Sequence, residues 1–155
     1  MNYLILIVSL FMFGVAQAAD PGAQLLSAAS AGRISQLNDL LAEGGDANAK
    51  TASGRPALVI AGFNGNVRTA RTLIAAGADV NAVDAAGNSA LIAASAFGHG
   101  DLVGLLIAAG ADVNLKDAAG QSALARATRS AHTTIIEKLK SAGAVEEAAE
   151  EEEKK

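Results

Sequence analysis

Apolar and polar positions follow one another in short blocks of helical spacing. Leu25, Leu26, Ala28 and Ala29 make one apolar stripe, Gly32-Arg33 interrupts it, and Ile34, Leu37, Leu40 and Leu41 make a second. The arrangement then returns. Pro56-Ala57-Leu58-Val59-Ile60-Ala61 opens a helix, Gly65-Asn66 breaks it, and residues 67–76 form the next. A third pair runs through Ser89-Ala90-Leu91-Ile92-Ala93-Ala94 and residues 102–109, divided at Gly98-His99. A fourth runs through Ser122-Ala123-Leu124 and residues 135–142, divided near His132. Each pair predicts two short helices back to back, and no pair can bury its apolar faces alone.

The pairs keep a fixed spacing. Leu73-Ile74-Ala75-Ala76-Gly77-Ala78-Asp79-Val80-Asn81 recurs 33 residues later as Leu106-Ile107-Ala108-Ala109-Gly110-Ala111-Asp112-Val113-Asn114. A looser copy occupies 40–48 and a worn one 139–145. The spacing predicts an all-α solenoid of four helix-turn-helix repeats, at about 20–48, 49–81, 82–114 and 115–145. Gly77 and Gly110 fall just after a helix, where left-handed backbone favours glycine, and Gly87 and Gly120 fall in turns. Asp79, Asn81, Asp112 and Asn114 are short polar residues suited to bonding the backbone of their own turns. Asp20, Ser89 and Ser122 are placed to cap helices, Pro21 suits a first turn, and Ala61, Ala94 and Ala127 let helices approach closely.

These units resemble ankyrin repeats over residues 24–145, with glycines, Ala-Leu pairs and Asp-x-Asn hairpins all recurring in phase. The resemblance implies two antiparallel helices and a projecting β-turn per repeat, stacked so that turns and first helices form a concave binding face. There are departures. The family's Thr-Pro-Leu-His signature reads Pro56-Ala57-Leu58-Val59, Ser89-Ala90-Leu91-Ile92 and Ser122-Ala123-Leu124-Ala125. Without its histidine, loop rigidity is expected to rest on backbone bonds and apolar packing. Pro56 also removes a cap hydroxyl. The first unit lacks the signature and the last has Val145 in place of Asp, as terminal capping repeats would.

Outside the repeats, Met1-Asn2-Tyr3, an uncharged apolar run and Ala16-Gln17-Ala18 predict a signal peptide over 1–18, although a basic first region is missing. A membrane anchor is the alternative, since residues 3–19 carry no charge. That run is at or below the ~20 residues a spanning helix needs, and the small-residue junction favours cleavage and no later membrane association. With no cysteine there is no disulfide framework and no thiolate metal site. Of twelve Lys and Arg and sixteen Asp and Glu, the tail 146–155 holds two and six, so ten of each sign remain in the body. A neutral body disfavours nucleic acid, which is bound through many phosphate contacts. The acidic tail is expected to be disordered and solubilising, with docking as the alternative.

No motif for chemistry emerges. His99 and His132 lie 33 apart at the start of second helices, which predicts a shared structural role. No nucleophile elbow or Walker loop is present, and no catalytic residue, cofactor or metal is expected. What remains is surface. In the ankyrin frame Phe63 and Phe97, the body's two aromatics, fall late in first helices and are expected in the groove, packing inward being the alternative. The same frame places Lys50, Arg55, Asn64, Val83, Asn88, Lys116, Gln121 and Arg129 on turn tips or groove, four of them basic and none acidic. Arg and Phe are favoured interface anchors, so these ten residues are the candidate protein-binding set.

The overall plan is similar to small periplasmic ankyrin-repeat proteins, which implies a periplasmic monomer that binds another protein. Some relatives of that kind act as self-protection factors, blocking secreted cell-wall peptidases so that the producer's peptidoglycan is spared. The resemblance therefore implies an inhibitor or immunity role toward a peptidoglycan endopeptidase. The alternative is a scaffold or chaperone for a periplasmic enzyme such as a catalase in peroxide defence.

Overall fold

The computed structural model describes residues 20–146. The expected signal peptide and all of the acidic tail after Glu146 lie outside the described residues. Among the described residues eight helices follow in order: α1 (Pro21–Ser30), α2 (Ile34–Ala42), α3 (Ala57–Asn64), α4 (Val67–Ala75), α5 (Ala90–Ala96), α6 (Gly100–Ala108), α7 (Ala123–Arg129) and α8 (Thr133–Ser141). Each odd helix packs against the even helix that follows it. The odd helices also stack on one another, as do the even ones, giving a two-layer all-α solenoid.

Buried columns at the repeat spacing explain the stacking. Leu25, Leu58, Leu91 and Leu124 are buried in the odd row, and Leu73, Leu106 and Leu139 in the even row. Each such leucine contributes about 2 kcal/mol by leaving water. Ala28, Ala61, Ala94 and Ala127 have no exposed surface, so the odd helices meet closely. At Gly62 there is no room for a side chain: an added Cβ would lie 2.7 Å from the Ala90 carbonyl oxygen. Caps form where short polar side chains precede a helix. Asp20 Oδ1 accepts from the Gly22 amide, Ser89 Oγ from Ile92 and Ser122 Oγ from Ala125, whereas Pro56 caps nothing.

The hairpins between repeats form a ladder that the sequence reading only half anticipated. Asp46, Asp79 and Asp112 do bond the amides of Asn48, Asn81 and Asn114 within their own turns, at 2.8–2.9 Å. The asparagines, however, reach into the next repeat. Asn48 Oδ1 accepts from the Asp79 amide at 2.7 Å, Asn81 Oδ1 from Asp112 at 2.8 Å and Asn114 Oδ1 from Val145 at 2.9 Å. Only the amide of the receiving residue is used in that contact, which is why Val145 can end the series.

A second column ties the turns inside each repeat. His99 Nε2 donates to the Phe63 carbonyl at 3.1 Å, and His132 Nε2 to that of Ala96 at 3.2 Å. The rings lie over Gly65 and Gly98, whose φ values are 66° and 81°. A Cβ on Gly98 would come within 2.8 Å of the His132 ring, and one on Gly65 would overlap His99. These glycines thus answer two demands at once, a left-handed backbone and no side chain beneath the neighbour. In the last repeat the position is Ala131, at φ 57°. No following ring lies over it among the described residues.

Candidate functional site

The turn tips are held by side chains, which corrects the expectation of backbone bonds and apolar packing alone. Short antiparallel bridges pair Lys50 with Pro56, Val83 with Ser89 and Lys116 with Ser122. Inside each tip one side chain at the same repeat position gathers the amides. Thr51 Oγ1 accepts from the Arg55 amide, Asp84 Oδ1 from Ala86 and Asn88, and Asp117 Oδ1 from Ala119 and Gln121, at 2.9–3.1 Å. Both aspartates are buried, so each also needs a cation. Arg55 supplies one from the preceding repeat, its Nε 3.5 Å from Asp84 Oδ2. Arg126 supplies the other from α7, with Nε 3.0 Å from Asp117 Oδ2 and Nη2 closer still. Burial pushes the Asp117 carboxyl up, but Arg126 and the two amides outweigh it and hold the group below its ordinary value.

Arg55, Phe63 and Phe97 come together on the side of the tips. The Arg55 guanidinium carbon stands 4.8 Å from the centre of the Phe63 ring. Phe63 meets Phe97 edge to face, with ring centres 5.6 Å apart and planes at 64°. Such contacts contribute about 1 kcal/mol each, enough to fix rings that have no deep pocket. Phe63 is half-buried beneath the guanidinium. Phe97, at the end of α5, is 59% exposed, and Val83 is 37% exposed on the neighbouring tip. A large ring held in place yet left in water is the least economical feature of this surface.

The other candidates divide by what they touch. Lys50, Lys116 and Arg129 are exposed on two tips and at the end of α7. Asn64 is exposed but donates to the Ser30 carbonyl at 3.3 Å, so it also ties repeats. Asn88 turns inward to Asp84 through its amide and Nδ2. Gln121 is half-buried, and its Oε1 is buried without a hydrogen-bond partner. Arg126 was absent from the candidate set. Its signal was there: an arginine in the helix row that carries Ile60 and Ala93 in earlier repeats.

Both histidines are committed to main-chain carbonyls of the preceding repeat. Among the described residues, no group of three or more His, Cys, Asp or Glu is placed to hold a metal ion, and no helix is long and apolar enough to cross a membrane. On the opposite side, a hollow of about 450 Å³ lies between the starts of α6 and α8, lined by His132, Thr133 and Lys138. The Lys138 ammonium there donates to the Gly100 carbonyl at 2.9 Å.

Residues 25–117 match the family model for ankyrin repeats, in three copies, and α7 and α8 continue the same packing beyond the matched stretch. No curated protein matches the chain.

Proposed function

The chain belongs to the ankyrin-repeat family, and from that premise we propose that it acts through its tip side as an exported binder that blocks a partner enzyme. Ankyrin repeats are in general protein-interaction modules rather than enzymes. The observation that carries the proposal is the Arg55–Phe63–Phe97 cluster, in which a fixed aromatic ring stays 59% exposed on a rigid stack. A pre-shaped surface loses little freedom on binding, which suits a stoichiometric inhibitor. The candidate target is a secreted peptidoglycan endopeptidase, a choice that rests on the likeness to periplasmic self-protection proteins. The test is muropeptide release from peptidoglycan by such enzymes with increasing amounts of the protein. Release should fall to a plateau near one equivalent. Unchanged release at saturation contradicts inhibition, and increased release points to a scaffold instead.

A further inference from the structure

We infer that the segment this face takes is acidic, with carboxylates on both sides of an apolar side chain. The inference rests on the binding role proposed above and adds the chemistry of the partner. Charge on this protein is segregated, although its body carries ten groups of each sign. The three tips together with α3, α5 and α7 carry Lys50, Arg55, Lys116, Arg126 and Arg129. Their only carboxylates are Asp84 and Asp117, both buried and each against an arginine. Every other acidic residue up to 145 lies on an even helix, in or beside a hairpin, or at the cap of α1. The tip side therefore presents cations to solvent with no exposed carboxylate among the described residues.

The order of groups along the stack sets the pattern. Lys50 and Arg55 belong to the second repeat, exposed Phe97 to the third, and Lys116 and Arg129 to the fourth. A partner crossing these repeats meets positive charge, an aromatic ring, then positive charge again. An acidic segment with an apolar residue in its middle complements that order, and like charge disfavours basic segments. Nucleic acid is the weaker match, because five cations leave few phosphate contacts.

The test is selection of random 12-residue peptides displayed on phage, against the full chain. Three variants run beside it: Phe97→Ala, the double variant Lys116→Glu with Arg129→Glu, and one with all six glutamates of 146–155 changed to Gln. Enrichment of peptides with Asp or Glu on both sides of a Phe, Leu, Ile or Trp is expected. A selected peptide, labelled and followed by fluorescence anisotropy, should lose at least tenfold in affinity with the double charge reversal or with Phe97→Ala. It should weaken steeply as salt rises from 0.05 to 0.5 M (roughly 14 to 4 Å of screening length), while both variants keep the helical far-UV circular dichroism of the folded stack. Enrichment of neutral or basic peptides overturns the acidic chemistry but leaves the binding face standing. Peptides that bind regardless of Phe97 and the basic pair, or no enrichment at all, overturn both. Acidic peptides selected only by the Glu→Gln variant make the chain's own tail the occupant and overturn the partner claim. Tighter binding of a 12-nucleotide single-stranded DNA than of any selected peptide overturns it in favour of nucleic acid.

Discussion

At the turn inside each repeat, Gly65 lies under the ring of His99 and Gly98 under that of His132, one arrangement made twice with the same residues. At the tips, exposed Lys50, Val83 and Lys116 fill one repeat position with both basic and apolar side chains, and the rings of Phe63 and Phe97 stand one residue out of phase. The difference follows from what each position touches. A residue whose partner is the next repeat is held to one choice by that partner's shape and hydrogen bonds. A residue facing water is not. Repetition therefore marks framework here, and departure from it at an exposed position marks the surface on which the proposed partner would be recognised.

The largest break in the framework should come at Asp117. Replacing it by Ala strands the Ala119 and Gln121 amides and leaves the Arg126 guanidinium without its buried carboxylate. Loss of about 3 kcal/mol is expected in urea unfolding. The same group predicts a pH effect. Its folded pKa lies below the ordinary 3.8, so the native state binds fewer protons there than the unfolded chain. Its contribution is complete above about 3.8 and is lost as pH falls through the lower folded value. The stability gap between wild type and Asp117→Asn should accordingly narrow below pH 4.

Next is the glycine column. Gly65→Ala puts a Cβ into the His99 ring at positive φ, and a loss of about 2 kcal/mol is expected. At the end of the stack the reverse change should help. Ala131→Gly relieves the same strain with no neighbour to consider, and a gain of up to about 1 kcal/mol is expected. Equal effects at the two sites would contradict the account of why one is Gly and the other Ala. Smaller again is the ladder: Asn81→Ala removes one bond to the Asp112 amide, for about 1 kcal/mol. Thermal melts of the variants would rank all of these.

The helices were legible because their signals are local. Apolar spacing, the Ser89 and Ser122 caps and the breaks at Gly65 and Gly98 all act within a few residues of where they are written. Contacts between repeats were harder to read. The sequence suggests Asn81 as a residue of its own turn, whereas its side-chain Oδ1 accepts from an amide 31 residues on. Asp84 and Asp117 stand in loop sequences, and a loop sequence does not say which carboxylate is buried. Arg126 stood in a row of Ile60 and Ala93, and only the fold brings it to Asp117. Within the candidate face, the repeat period sets Phe63 and Phe97 at adjacent positions one repeat apart, but not Arg55 over the Phe63 ring. The inward turn of Asn88 was not, because it depends on Asp84 being under the tip.

The measurement that tests the separation of framework from surface most directly is Phe97→Ala, followed by two readouts on one preparation. One is the melting temperature, and the other is inhibition of a secreted peptidoglycan endopeptidase measured by muropeptide release. Because the ring is 59% exposed, stability should fall by no more than about 1 kcal/mol, the contribution of its contact with Phe63. Inhibition should weaken at least tenfold, as loss of an aromatic anchor does. A variant that no longer folds, or one that inhibits as wild type does, would contradict the account.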